Sequence, residues 1–160
     1  MTTHATERTL AVIDIENLCG GPDNVSVLGK YIRYLYDQLS SPGWMPVIAT
    51  SGYTVRECPD FWWSWADARR LVRSGPDGAD LALIDVLTEP VATHCERVEI
   101  WSGDHIFAAS AKSLTESGCH VTVRGAPGSI ARQLRRVATH VNELVELALV
   151  ASEPTPLAVA

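Results

Sequence analysis

The stretch LAVIDIENLCGG, from Leu10 to Gly21, begins as an apolar run and ends in acidic and small residues. The run from Thr9 to Asp14 has the length and composition of a strand buried on both faces, as the strands of parallel sheets are. Asp14 is followed closely by Glu16 and Asn17. Ionised carboxylates are costly to bury unless they are paired, hydrogen-bonded or bound to a metal. The segment therefore predicts a strand that either ends in solvent or leads into a site.

The same pattern returns in RVEIWSGD, from Arg97 to Asp104, where an alternating apolar run ends in small residues and an acid. Further segments with strand composition lie at residues 44–50, 69–73 and 119–125. Helices are predicted at 24–39, with Asn24 as the cap, at 79–87 and at 105–118, and a helix or a helix pair at 130–150. Strands that alternate with helices through short connections predict an α/β fold with a parallel, doubly wound sheet.

Three aspartates are candidates for a site in such a fold. Asp14 and Asp104 each come just after the carboxyl end of a predicted strand, and Asp80 lies at the start of a predicted helix. Ligands of open α/β sheets bind outside the carboxyl ends of the strands, near the point where the strand order reverses. Carboxylates that converge there repel one another, and a divalent cation such as Mg²⁺ relieves the repulsion. Such a cluster is typical of phosphate chemistry.

Each aspartate also has a structural interpretation. Asp14 could end a strand in solvent, Asp80 could favour a helix amino terminus electrostatically, and Asp104 could cap a helix that begins near His105. Asp77 is assigned to a turn, because Pro-Asp-Gly is ordinary turn sequence. The roles of Glu16 and Asp85 are left open.

The chain has 160 residues, of which 46% are hydrophobic and 20% are charged. These values predict one domain at 9–150, between a flexible amino terminus at 1–8 and a flexible tail at 151–160. No apolar run has the length to cross a bilayer and the polar start MTTHATERT lacks the pattern of a secretory leader, so a cytoplasmic protein without membrane contact is expected. Its cysteines are too widely spaced for a zinc motif.

The formal net charge of −6 argues against a protein that binds nucleic acid by its overall charge. Binding would need a local basic patch or a bound cation. The candidate patch comprises Arg124, Arg132, Arg135 and Arg136, and a second group comprises Arg69, Arg70 and Arg73. A solvated basic face is the alternative interpretation. The motifs of serine hydrolases, phosphate loops and dinucleotide-binding folds are absent from the sequence.

Three segments in this order carry a resemblance to a known family. AVIDIENL, DGADLALID and EIWSGDHIFAASAKSLTESGCHVTVRG together resemble the NYN family of PIN-like ribonucleases, over most of the chain from Leu10 to about Leu147. The resemblance implies a Rossmann-like α/β/α sandwich with a central, mostly parallel sheet. It also implies a metal-dependent nuclease that acts on RNA.

The resemblance assigns roles to four residues and shows two departures. Asp14 matches the first metal-binding acid of the family, and Asn17 matches the polar residue that helps to hold the loop and its ligands. Asp80 matches the acid of the family's G-x-D segment, and Asp104 matches the acid of its S-G-D motif. Ile106 stands where the family commonly has a further acid, and Asp77 where it often has a lysine. His105 or Asp85 is a candidate to compensate for the missing acid.

The leading hypothesis is therefore an endoribonuclease that uses Mg²⁺ or Mn²⁺ and cleaves single-stranded RNA. Asp14, Asp80 and Asp104 would hold the cation, Asn17 would fix the first loop, and Arg124 and its neighbours would bind flanking phosphates. The alternative is a catalytically weakened domain that binds RNA or a protein partner without cleavage. A third hypothesis is a protein-interaction module, with the tryptophan cluster Trp62, Trp63 and Trp65 as its interface; the same cluster could stack bases or belong to the core. A homodimer is left open.

Overall fold

The computed structural model describes residues 7–21 and 24–154. Within these ranges six strands form one parallel sheet in the order β3-β2-β1-β4-β5-β6. The strands are β1 (Thr9–Asp14), β2 (Trp44–Thr50), β3 (Arg69–Val72), β4 (Arg97–Trp101), β5 (His120–Gly125) and β6 (His140–Glu143). The expected doubly wound α/β fold is confirmed, and every strand pair described is parallel.

Nine α-helices lie in the described ranges, several of them only one turn long. They are α1 (Ile15–Leu18), α2 (Val25–Leu39), α3 (Gly52–Glu57), α4 (Pro59–Trp63), α5 (Gly78–Thr88), α6 (Pro90–Thr93), α7 (Ala108–Glu116), α8 (Arg132–Val137) and α9 (Glu146–Ser152). A 3₁₀ turn at His105–Phe107 precedes α7. The longest of these helices has 15 residues, and none in the described part of the chain has the apolar length that a bilayer requires.

The alternation of side chains along β1 divides the core into two halves. Leu10 and Val12 point to one face of the sheet, where they meet the apolar sides of α5, α7 and α8. Ala11 and Ile13 point to the other face, which α2 and α9 cover. Because both faces are covered, all six residues of β1 are buried, as the apolar run predicted.

The strand order places β1 and β4 at the centre of the sheet. From β1 the chain proceeds through β2 to β3 on one side, and then returns to β4 and proceeds through β5 to β6 on the other side. The carboxyl ends of β1 and β4 are therefore the switch point at which open α/β sheets bind ligands. Asp14, which ends β1, lies at this point.

The helix or helix pair predicted for 130–150 is wrong in one respect, because a strand interrupts it. The helix α8 ends at Val137, where Ala138 has an extended conformation, and residues 140–143 then pair with β5 as the edge strand β6. Its side chains alternate between exposed and half-buried, so it lacks the apolar signature of an inner strand. At the chain ends, α9 continues to Ser152 and so enters the tail predicted to be flexible at 151–160. Of the two predicted flexible segments, 1–8 and 151–160, residues 1–6 and 155–160 lie outside the described residues.

Candidate functional site

A polar cleft of about 490 Å³ opens at the carboxyl edge of the sheet, beside the switch point. The four residues predicted for the site, Asp14, Asn17, Asp80 and Asp104, all line it. They come from the end of β1, from α1, from the first turn of α5 and from the loop after β4. The predicted convergence of these residues is thus observed.

Asp14 is buried at the bottom of this cleft, with only 4% of its surface exposed. Its Oδ1 accepts a hydrogen bond of 3.2 Å from the backbone N–H of Asn17, so that Asp14 also caps α1. Its Oδ2 accepts a hydrogen bond of 2.8 Å from the hydroxyl of Ser102. Both oxygens are therefore held in a defined orientation. Ser102 was missed by the sequence analysis, although it belongs to the same S-G-D segment as Asp104.

The carboxyl groups of Asp14 and Asp80 interact directly, and each affects the pKa of the other. Burial raises the pKa of Asp14 to about 7, the negative charge of Asp80 adds to the increase, and the bonds from Ser102 and Asn17 oppose it. The pKa of Asp80 is also raised, first by burial, while a hydrogen bond with Asp14 lowers it and nearby acids, Asp104 first, raise it. The pair therefore keeps a proton up to a higher pH than two isolated carboxylates would. A bound cation would instead favour ionisation of both.

Asp104 lies at the rim of the cleft and caps the 3₁₀ turn that follows it. Its Oδ1 accepts a 3.0 Å hydrogen bond from the N–H of Ile106 and lies 3.0 Å from Nδ1 of His105. Its own N–H donates to Oγ of Ser102 over 3.1 Å. The capping interpretation is thus correct, and the same side chain also lines the cleft.

Asn17 and Gly103 join the loop after β1 to the loop after β4. The amide oxygen Oδ1 of Asn17 accepts a 3.0 Å hydrogen bond from the N–H of Gly103. A side chain at Gly103 would clash with the carbonyl oxygen of Ser129 in the loop after β5, so only glycine fits there. The contact agrees with the expected role of Asn17 in holding the first loop.

Glu16 is a fourth acid of the cleft, and its role was left open by the sequence. Its Oε1 accepts hydrogen bonds from the hydroxyls of Thr50, Ser51 and Thr54 at 2.7, 2.7 and 2.6 Å, and from the N–H of Ser51 at 2.9 Å. Burial raises the pKa of Glu16, but together these hydrogen bonds lower it by more, so the pKa lies below the ordinary value of a glutamate. Glu16 is thus held ionised. In the sequence, the polar residues Thr50 and Ser51 at the end of β2 were the signal that could have indicated this role of Glu16.

The remaining acidic candidates lie in different surroundings. The side chain of Ile106 packs against the core, so this position contributes no ligand. The side chain of His105 is 74% exposed beside Asp104. Asp85 lies outside the cleft lining and pairs with Arg73. Asp77 does line the cleft, and it adopts a left-handed conformation with φ of 51° at the start of α5.

The donor set of the cleft fits a hard divalent cation. Across residues 7–21 and 24–154, no three histidine, cysteine or acidic side chains are grouped closely enough to hold one ion between them. Mg²⁺, however, is usually bound by one or two carboxylates together with several waters. The pair Asp14–Asp80 matches this requirement, with the carboxylates of Glu16 and Asp104 in the same cleft.

The predicted arginine patch divides between two faces of the sheet. Arg124 makes two hydrogen bonds to Glu99, of 2.8 and 3.0 Å, and lies 5.3 Å from the centre of the Trp101 ring. It therefore does not belong to one patch with the arginines of α8, because Trp101 packs in the core half under α2 and α9, whereas α8 packs in the other half.

Arg132, Arg135 and Arg136 are exposed on α8. This helix begins close to the cleft, because the N–H of Ala131 donates to the carbonyl of Gly103 over 2.8 Å. Arg135 is ion-paired with Glu143 and also donates to the carbonyl of Ile130.

The tryptophan cluster belongs mainly to the core. Trp62 and Trp65 are buried, whereas Trp63 is 67% exposed. The guanidinium of Arg70 lies 4.7 Å from the centre of the Trp63 ring. Of these three tryptophans, Trp63 is therefore the one whose ring is exposed enough to stack on a base or on a partner. All four cysteines are free thiols.

Comparisons with known proteins support the fold and leave the function open. No family model matches the chain, and no curated protein matches it. Among solved structures, the chain is similar to a protein of unknown function from Vibrio parahaemolyticus, with a TM-score of 0.65 and 14% sequence identity, over 92% of this chain and 98% of that one. The likeness shows the Rossmann-like fold, and membership of the NYN family stays a prediction.

Proposed function

We propose that this protein is an endoribonuclease that uses Mg²⁺ or Mn²⁺ to hydrolyse phosphodiester bonds of single-stranded RNA. The observation that carries the proposal is the convergence of Asp14, Asp80 and Asp104 on one cleft at the switch point of the sheet. The pKa of Asp14 is raised to about 7, first by burial and then by the negative charge of the neighbouring Asp80, so the cleft contains a buried carboxyl group beside a second one. Such a cleft favours a cation over an uncharged ligand.

Asp14 and Asp80 are the residues that would hold the cation, with the carboxylate of Asp104 in the same cleft. A divalent ion supplies an activated water for attack on the phosphodiester and neutralises charge on a phosphoryl oxygen. The protein orients the carboxylate of Asp14 in advance, since Asn17 and Ser102 donate to its two oxygens. Glu16 stays ionised through its four hydrogen bonds and adds to the negative charge that attracts the cation.

The exposed arginines of α8 would bind phosphates of the RNA that flank the cleaved bond. Arg132 and Arg136 are the best placed, since both are exposed on the helix that begins beside Gly103. The formal net charge of −6 makes such local contacts necessary. The proposal places this activity in the cytoplasm, which agrees with four free thiols.

Titration with Mn²⁺ in the presence of end-labelled single-stranded RNA tests the proposal. We expect cleavage by the wild type that requires Mn²⁺ and falls by about 100-fold or more in Asp14→Asn, Asp80→Asn and Asp104→Asn. Asp37→Asn is the matched control, because Asp37 is exposed on α2, away from the cleft. Cleavage that survives Asp14→Asn would overturn the proposal.

A second candidate function is RNA binding without cleavage. Two observations favour it: Ile106 is apolar where the resemblance implies an acid, and the carboxylate of Asp104 is engaged by the 3₁₀ turn. The same titration separates the two functions. Retention of intact RNA in the presence of Mn²⁺ would identify the binding domain.

A further inference from the structure

Arg73 is the one cationic side chain among the described residues that line the acidic cleft. It follows directly after β3, on the side of the cleft away from β4 and α8. All other charged residues in the described lining are acids: Asp14, Glu16, Asp77, Asp80 and Asp104. A lone cationic side chain in such surroundings is a candidate to contact an anionic group of a substrate, because the acids alone would repel that group.

The backbone of Arg73 is held firmly on two sides. Its N–H donates to the carbonyl of Thr50 at the end of β2, over 3.1 Å. On the other side Gly78 approaches so closely that a Cβ there would clash with the carbonyl oxygen of Arg73. The start of the arginine side chain is therefore fixed relative to Asp77 and to the first turn of α5, which carries Asp80.

Among residues 7–21 and 24–154, the ion-pair partner of the Arg73 guanidinium is a weak one. The guanidinium lies 3.1 Å from a carboxylate oxygen of Asp85, and the two side chains are 48% and 75% exposed. Ion pairs between side chains with this exposure contribute little, because water screens them. A phosphate that approached the cleft could replace Asp85, since phosphate accepts two parallel hydrogen bonds from a guanidinium.

We propose that Arg73 binds a backbone phosphate of the RNA on the β3 side of the cleft and that Asp85 competes with the RNA for it. This inference rests on the proposed function. Arg73 follows β3 and the helix α8 follows β5, so their arginines lie on opposite sides of the central strands β1 and β4. At the usual spacing of strands, β3 and β5 are about 19 Å apart. The RNA would thus cross the acidic cleft from one cation to the others, with its scissile bond over Asp14 and Asp80.

Equilibrium binding to a fluorescent single-stranded RNA, measured by anisotropy in Ca²⁺ at 50 to 200 mM salt, tests this inference without cleavage. We expect Arg73→Gln to weaken binding about tenfold and to lower the slope of log K against log salt by about 0.7, the value for one lost phosphate contact with a single strand. We expect Asp85→Asn to tighten binding, because it removes the competitor. A merely structural role of Arg73 would leave the salt slope unchanged.

Arg69→Gln is the matched control. Arg69 is the first residue of β3, the strand that Arg73 directly follows. Its side chain has the same 48% exposure and is ion-paired to Glu89 over 2.7 Å, but it lies outside the cleft. Unchanged binding by Arg73→Gln, or an equal loss in Arg69→Gln, would overturn the inference while leaving the proposed cleavage intact. Binding that depends on Arg73 without cleavage would overturn the nuclease proposal alone, and no binding by the wild type would overturn both.

Discussion

Asp14 is a buried carboxylate with hydrogen-bond donors for both oxygens and a second carboxylate beside it. The donors lower its pKa, but burial and the charge of Asp80 raise the pKa more, to about 7. This balance decides the protonation state of the cleft at physiological pH. The ionised residue is thus a source of instability in the metal-free protein, and the proposed function makes it a ligand of the cation.

Asp14→Asn is expected to stabilise the metal-free protein at pH 8 and to have little effect near pH 4. The folded pKa of about 7 exceeds the unfolded value of about 3.9, so the folded state binds more protons and the free energy of unfolding falls as pH rises between these values. Asparagine removes this penalty, which we place at roughly 2 to 4 kcal/mol at pH 8.

Urea unfolding with EDTA at both pH values measures this difference, and Asp37→Asn serves as the control. An equal effect of Asp14→Asn at pH 4 and pH 8 would contradict the assignment of the raised pKa. Addition of Mn²⁺ at pH 8 is expected to stabilise the wild type more than the variant.

At the scale of the elements, α5 positions Asp80 by a close contact with the end of β3. Gly78, the first residue of α5, packs against the backbone of Arg73, and Asp77 before it adopts a left-handed conformation. The turn between β3 and α5 is therefore shaped by main-chain contact. It sets both the entry of α5 and the distance from Arg73 to Asp80.

Gly78→Ala is expected to destabilise the protein by roughly 2 to 3 kcal/mol, because the added methyl group meets the backbone carbonyl of Arg73, a residue whose own N–H is bonded to Thr50 at the end of β2. Gly29→Ala is the matched control: Gly29 lies within α2 with open space around its Cα, and alanine there should stabilise by about 0.5 to 1 kcal/mol. Thermal unfolding of both variants measures the two effects. A tolerated alanine at Gly78 would show that the turn can move.

At the scale of the whole molecule, the last helix closes one face of the sheet. Leu144 and Leu147 are buried in the core half that contains α2. Tyr31 donates to the carbonyl of Leu147 over 3.3 Å, and Tyr34 donates to the carboxylate of Glu146 over 2.5 Å. The helix α9 is thus part of the core, and the domain does not end before it.

Leu147→Ala is expected to destabilise the protein by roughly 2 to 4 kcal/mol, the usual cost of removing a buried leucine side chain. Leu149→Ala, on the same helix but 70% exposed, should change stability by less than about 0.5 kcal/mol. Urea unfolding compares the two variants. Equal effects would show that α9 does not pack as described.

Much of the fold could be predicted from local patterns, and the exceptions have physical reasons. The apolar run of β1 and the helical spacing of Leu28, Ile32 and Leu35 are both visible within a short segment of sequence. Both predictions are confirmed. The strand β6 was missed because an edge strand with one neighbour buries few side chains. Glu16 was left open because its hydrogen-bond partners lie on another strand and helix.

By itself the sequence determined the fold class and the acids that end the strands, because apolar periodicity and strand length are local properties of the chain. Only the tertiary structure decided which side chains meet. The strand order brought Asp14, Asp80 and Asp104 to one cleft, and the alternation of side chains along β5 turned Arg124 toward Glu99 and Trp101, away from α8. Such meetings depend on pairing between distant segments, which no local pattern records.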